Sequence, residues 1–186
     1  MSFYSTDELR KLGFYSVGSN VRISRKASFY GIERISIGSN VRIDDFCVLS
    51  AGLGGITIGN YIHIAVYSSL IGAGKIILSD FCNISSRVAI YSSNDDYSGE
   101  YMTNPMVPSV LTNISSDDVN IGKHVIIGSN SIILPGVHLG EGVAIGALSL
   151  VTKSIESYKV AAGTPAKVIK DRATNIRVLE ESLQRQ

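Results

Sequence analysis

The stretch VNIGKHVIIGSNSIILPGVHLGEGVAIGALSLVTK, residues 119–153, decides the fold. Within it Ile121, Ile127, Ile133, Leu139, Ile145 and Val151 follow one another at six-residue intervals. Two residues before each stands Val119, Val125, Ser131, Val137, Val143 or Ser149, aliphatic or small. Glycine follows four of the six, at Gly122, Gly128, Gly140 and Gly146. Residues two apart on an extended chain share a face, and glycine opens a corner. Each unit therefore reads as a short strand plus a turn, and three units make a triangular coil of parallel strands. Stacked coils bury continuous aliphatic columns that one coil cannot bury alone. A sandwich of alternating strands explains the apolar alternation but not the fixed period.

The same period runs earlier with its phase reset at glycine-rich corners. Ile37, Ile43 and Leu49 form one trio, Ile58, Ile64 and Leu70 a second, and Leu78, Ile84 and Ile90 a third. Ala51-Gly52-Leu53-Gly54-Gly55 and Gly72-Ala73-Gly74 absorb the resets, and Val17 and Ile23 open a less regular first coil. The reading is one all-β domain over 1–186, a parallel β-helix with repeats at about 17–91 and 119–156. Ser5-Thr6-Asp7-Glu8 has the form of a capping box and Gly13 that of a stop, which predicts a short helix over 6–12. Ile176, Leu179 and Leu183 at helical spacing predict a C-terminal helix over about 173–184. Between them the period fails over residues 92–118, a protruding loop with Asn94, Asp95, Asp96, Tyr97, Glu100 and Tyr101. Loops this long are usually functional or disordered; a floppy insertion is the alternative, and the two tyrosines beside three carboxylates favour a binding loop.

Composition narrows the function. Of 186 residues, Ile, Val and Leu number 24, 16 and 13, and 17 Lys+Arg against 16 Asp+Glu leave a net charge of +1. That balance offers no excess of cations for nucleic acid. No apolar run approaches a membrane span, and the polar N-terminus does not read as a signal peptide. Two cysteines inside apolar patterns, Cys47 and Cys82, suggest a reduced, cytoplasmic chain. The three histidines, His63, His124 and His138, stand at differing phases of the repeat, so no metal site is expected. His124, at a turn, and His138, pointing outward, read as surface residues.

Two segments carry a resemblance. The Ile/Val-x-Ile-Gly repeats, with Val151-Thr152-Lys153 and Val160-Ala161-Ala162-Gly163-Thr164-Pro165-Ala166-Lys167-Val168-Ile169-Lys170, are similar to hexapeptide-repeat acyltransferases of the galactoside and xenobiotic acetyltransferase type. The resemblance implies a left-handed β-helix, a homotrimer, acetyl-CoA or another acyl-CoA as co-substrate between subunits, and a loop that reaches a neighbour's site. Relatives that acetylate hydroxyls carry a histidine after the strand that precedes the loop; here Ile90-Tyr91-Ser92-Ser93-Asn94-Asp95 puts Asp95 in its place. A hydroxyl needs a general base near neutrality, for which an ordinary carboxylate is poorly suited. A neutral amine is already nucleophilic and needs to be oriented. Asn83-Ile84-Ser85-Ser86-Arg87 and Asp95-Asp96-Tyr97-Ser98-Gly99 further resemble N-acyltransferases of nucleotide-linked amino-deoxy sugars, the group containing the anthrose-pathway enzyme.

The resemblance then assigns roles. Asp95 receives the substrate amine, with Asp96 as the exchangeable alternative. His63 and Ser85 line the crevice, and either His63 or the departing sulfur takes the proton. Ser129 offers its N–H to the thioester oxyanion, and Ala147 keeps the wall narrow for pantetheine. Thr152, Lys153, Lys167 and Lys170 serve pantetheine and phosphates. Arg87, Asp96, Tyr97, Glu100 and Tyr101 meet the nucleotide sugar, a precursor of surface polysaccharide. A sugar O-acetyltransferase using His63 or a perturbed Asp95 as base, and a non-catalytic β-helix assembly protein, are the alternatives.

Overall fold

The six-residue units become strands of two to four residues, three to a coil. A computed structural model describes residues 2–185, with Gln184 described by its backbone alone. The first face stacks Ser16–Val17, Ile35–Ile37, Ile56–Ile58, Ile76–Leu78, Val119–Ile121 and His138–Leu139. The second stacks Arg22–Ile23, Val41–Ile43, Ile62–Ile64, Asn83–Ile84, Ile126–Ile127 and Ala144–Ile145. The third stacks Ser28–Tyr30, Val48–Ala51, Ser69–Gly72, Ala89–Tyr91, Ile132–Ile133 and Leu150–Val151. All pair in parallel, and the coil is a left-handed parallel β-helix.

Register turns the sequence period into columns. Ile37, Ile58, Leu78, Ile121 and Leu139 are successive partners on the first face. Ile23, Ile43, Ile64, Ile84, Ile127 and Ile145 form the second column, and Leu49, Leu70, Ile90, Ile133 and Val151 the third. Every one of these side chains is buried. Burial of such a side chain stabilises by about 1.5–3 kcal/mol, and neighbouring coils supply each other's cover.

The corners hold a feature that the apolar period does not reveal. Asn40, Tyr61, Phe81 and His124 occupy one corner column at φ 59, 56, 63 and 59°, and Phe46, Tyr67, Arg87, Asn130 and Leu148 occupy the next at 59 to 63°. Left-handed backbone is unfavourable for bulky residues. Stacking between coils offsets it: Tyr61 on Phe81 and Phe81 on His124 each lie 4.9 Å apart, and Phe46 on Tyr67 5.0 Å. His124 is therefore not the surface residue expected. Its side chain is 10% exposed, and its Nε2 lies 2.7 Å from Glu180.

The flanks follow their caps. Helix α1 spans Thr6–Lys11, one residue shorter than expected, with Leu12 as C-cap. The capping box forms, with Ser5 Oγ accepting the Glu8 N–H and the Glu8 carboxylate accepting the Ser5 N–H at 2.8 Å. Arg25 also donates to Glu8 and, more than the cap, lowers its carboxyl to about 2. After Ile155 the coil does not continue as a plain repeat. Lys159–Gly163 joins the second face and turns back into antiparallel Ala166–Asp171. Arg172 then donates to the carbonyls of His124, Gly142 and Val143, delaying helix α2 to Ile176–Gln184 rather than about 173. Glu180 ties α2 to Lys123 and His124, and these partners, Lys123 foremost, hold its carboxyl below the usual range.

Residues 92–118 also carry more order than a plain loop. Ser93–Asn94 pairs antiparallel with Ser115–Ser116, so the excursion leaves and returns through a two-stranded ribbon. The buried Ser92 hydroxyl fixes its root by donating to Gly74 O at 2.7 Å.

Candidate active site

The third face carries the candidate cavity. Its outward residues Ile71, Tyr91, Ile132, Leu134 and Leu150 floor a cavity of about 730 Å³, walled by Ser93, Asn94, Asp95, Tyr97 and Ile114 of the ribbon and loop. The floor is largely apolar and the wall polar, as suits a ligand with a greasy arm and a polar reacting end.

At one edge of that face, just past the ribbon strand, stand Asp95 and Asp96, which the sequence leaves interchangeable. The structure separates them. Asp96 is consumed locally: its carboxylate accepts the Ser98 N–H at 3.0 Å, the Gly99 N–H at 3.1 Å and the Ser98 hydroxyl. Asp95 lines the cavity, and its carboxylate bonds no other described residue. An unengaged carboxylate at the rim of a cavity is an acceptor for an incoming cation or N–H donor. Tyr97, 86% exposed, shares the cavity wall, whereas Glu100 and Tyr101 are exposed and lie outside it.

At the opposite edge, the register Ile84–Ile127–Ile145 makes Ser85, Gly128 and Gly146 equivalent corner positions, followed by Ser86, Ser129 and Ala147. Here glycine is required by space. A Cβ on Gly128 would stand 2.4 Å from the Ala147 nitrogen, and one on Gly146 2.8 Å from Ala162 Cβ. The Ser129 carbonyl accepts the Leu148 N–H, but the Ser129 N–H donates to no described atom. That free donor is what an oxyanion contact needs. Ser85 is fixed through its backbone, N–H to Ile127 O at 3.0 Å and carbonyl to Ser68 Oγ at 2.9 Å, leaving its hydroxyl unengaged.

The remaining candidates are spread out. Lys167 pairs with Ala162 and Lys170 with Val160 on the closing hairpin, beyond the Ser129–Ala147 corner. Thr152 and Lys153 follow Val151 on the Asp95 edge instead, so the four do not form one cluster in a single chain. Arg87 lies over the Tyr67 ring at 5.3 Å on the Ser85 corner. His63 is on the second face, in register with Asn83, and does not line the third-face cavity. Its Nε2 is 2.9 Å from Asp44 Oδ2, while Arg42 Nε donates to Asp44 Oδ1 at 2.7 Å. Asp44 stands at a corner position that carries Ser24, Ala65 and Ser85 on other coils, so a carboxylate there is the one sequence signal of this contact. Among the described residues, no three His, Cys, Asp or Glu side chains are grouped to hold a metal, and no helix is long and apolar enough to cross a membrane.

Known proteins share this sequence and fold. The bacterial transferase hexapeptide family (six repeats) matches residues 118–153. A dTDP-4-amino-4,6-dideoxy-D-glucose acyltransferase of Escherichia coli is 62% identical over 180 residues, 97% of this chain and 94% of the relative. A crystal structure of a point mutant of AntD, an N-acyltransferase from Bacillus cereus, in complex with dTDP-4-amino-4,6-dideoxyglucose and coenzyme A, superposes with a TM-score of 0.94 at 48% identity over 99% of this chain and 97% of that one. A crystal structure of AntD with dTDP and 3-hydroxybutyryl-CoA does so at 0.94 and 49% over 99% and 97%. Kinship along the whole chain, on the same stacked coils, makes this protein a member of the hexapeptide-repeat, left-handed β-helix acyltransferases.

Proposed function

We infer that the protein transfers an acyl group from acyl-CoA to the amine of a dTDP-linked 4-amino-4,6-dideoxy sugar. The observation that carries this reading is the 62% identity, over nearly the whole chain, to the E. coli relative of that name. The geometry supplies the chemistry. The unengaged Asp95 carboxylate holds the amino group over the cavity, where a carboxylate serves as acceptor better than as base for a hydroxyl. The amine attacks the thioester carbon, the Ser129 N–H meets the oxyanion, and the C–S bond breaks as the departing sulfur takes a proton. The glycine-lined corner at Ala147 leaves room for the pantetheine arm, and Lys167 and Lys170 on the hairpin suit its phosphates, with Thr152 and Lys153 contributed across a subunit boundary.

Arg87, Tyr97 and Tyr101 are the partners we assign to the nucleotide, with Ser85 beside the sugar. Asp95 and Ser129 belong to opposite edges of one face, which favours a homotrimer whose sites combine the edges of adjacent copies. Acetyl-CoA is the first donor to test among acyl-CoAs of different chain length, and the product we assign is a precursor of surface polysaccharide made in the cytoplasm.

The test is a free-thiol release assay with acetyl-CoA and longer acyl-CoA donors. Acceptors are dTDP-, UDP- and GDP-linked amino sugars and their hydroxyl counterparts. Turnover of the dTDP amino sugar alone is expected. Turnover of hydroxyl acceptors would overturn the amine reading, and failure to bind CoA would overturn the enzyme.

A further inference from the structure

Outside the third-face cavity, a polar constellation on the second face is built like a general base. The Asp44 side chain is 8% exposed, whereas that of His63 is 41% exposed. The two Asp44 oxygens are divided: Oδ1 accepts from Arg42 Nε at 2.7 Å and Oδ2 faces His63 Nε2 at 2.9 Å. A carboxylate only accepts hydrogen bonds, so Nε2 carries the hydrogen and the lone pair of a neutral imidazole lies on Nδ1. No described residue bonds Nδ1. A buried carboxylate therefore holds an exposed imidazole in one tautomer with its basic nitrogen open. The charged groups around it are Arg42, its register partner on Val41–Ile43, and Asp44 at the corner just past that strand; Asn83, uncharged, flanks it on the other side and leads two residues on to Ser85.

We propose that Asp44 and His63 form a proton-accepting pair for the acyl transfer, with His63 taking the first proton from the substrate and Asp44 as its positioning residue. The proposal rests on the N-acyl reading and on sites shared between copies, the second face of one copy opposing the third-face cavity of the next. An alkyl amine is largely an ammonium near neutrality and has no lone pair with which to attack. A carboxylate pairs with it but is too weak a base to strip it, whereas an imidazole suits that step. The balance is complete. R–NH3+ gives one proton to His63 Nδ1, and R–NH2 forms the C–N bond at the thioester carbon. The C–S bond breaks, the thiolate takes a second N–H proton, and the imidazolium returns its proton to solvent.

Asp44→Asn tests the tautomer with little change of shape. Arg42 only donates, so it keeps the amide oxygen and turns the amide NH2 towards His63. Nε2 then becomes the acceptor and Nδ1 carries the hydrogen. The expected result with the dTDP amino sugar is a loss of kcat/KM of roughly 100-fold or more at neutral pH for Asp44→Asn and for His63→Gln. The defect should shrink by about tenfold per pH unit as the free amine increases. Coenzyme A and dTDP should bind both variants as they bind the parent, and 15N shifts of His63 should move from the Nε2–H to the Nδ1–H pattern in Asp44→Asn. If Asp44→Asn does not fold, His63→Gln, altered at a half-exposed side chain, carries the same pH test. A defect equal at every pH, or no defect, overturns the pair while an active parent leaves the N-acyl reading standing. A parent that acylates hydroxyls alone removes both.

Discussion

Replacing Asp95 by Asn, beside the same change at Asp96, separates chemistry from scaffolding at neighbouring positions. Asp95 makes no bond to the described protein, so its carboxylate gives the folded state nothing to lose, and the melting temperature should stay within a degree or so of the parent. Its proposed partner is the substrate's amino group. Hydrogen bonds to charged groups contribute about 1.5–3 kcal/mol, and the substitution removes the charge, so the whole of that contribution bounds the loss. At about 1.36 kcal/mol per decade, that is a fall in kcat/KM of roughly 10- to 160-fold for Asp95→Asn. Asp96 has the opposite profile. Its carboxylate closes the turn through Ser98 and Gly99, and Asn keeps one acceptor oxygen for those N–H groups, so activity should remain within about threefold. Free-thiol release at varied sugar concentration reads both variants, with circular dichroism melts as control. Full activity in Asp95→Asn, or an equal loss in both variants, would refute the assignment.

Three further outcomes follow from burial and charge. Leu70→Ala empties a fully buried place in the third column and should cost about 2–5 kcal/mol in denaturant unfolding, whereas Leu53→Ala at an exposed corner should cost almost nothing. Burial raises the Cys47 thiol to about 11 and the Cys82 thiol to about 12, so neither should react with Ellman's reagent at neutral pH until the chain unfolds, which leaves the thiol-release signal to coenzyme A. The Glu8 carboxyl is lowered from 4.5 to about 2, so its link to Arg25 stabilises the fold fully above pH 4.5 and is lost as pH falls to about 2. Urea midpoints of the parent and Glu8→Gln should therefore differ at neutral pH and converge across that window.

The coil was legible because its cause is local and repeated: one buried aliphatic per six residues, in register from Ile23 to Ile145, leaves the same mark on every coil. Capping was legible for the same reason, since Ser5 and Glu8 are three residues apart and find each other without help. What escaped depends on contacts between distant residues. His124 looks like a turn residue in its own repeat, and only Phe81 one coil below and Glu180 on the terminal helix bury it. Arg172 shifts the start of α2 because three carbonyls from other coils hold it. Asp95 and Asp96 are alike in sequence: Ser98 and Gly99 consume Asp96 locally, and it is the ribbon of Ser93–Asn94 with Ser115–Ser116 over the third-face floor that sets Asp95 at a cavity.

The division of the site between two edges carries its own prediction. Asp95 follows the third-face strand of its coil, while Ser129 and Ala147 precede the third-face strands of theirs. If one chain serves one site, an amine-side lesion and a donor-side lesion placed in different chains leave every site broken in a mixed oligomer. If each site pairs the Asp95 edge of one copy with the Ala147 edge of the next, mixing restores some. Asp95→Asn supplies the first lesion. Ala147→Phe supplies the second by filling the narrow corner from an exposed position, without touching the buried columns. With equal amounts refolded together, a junction is intact when one copy keeps Asp95 and its neighbour keeps Ala147, a chance of about one half times one half, so about a quarter of parental activity should return. Each variant refolded alone should stay near its own low rate. A mixture no more active than the mean of its components would place both edges in one chain's site and remove the argument for a shared one.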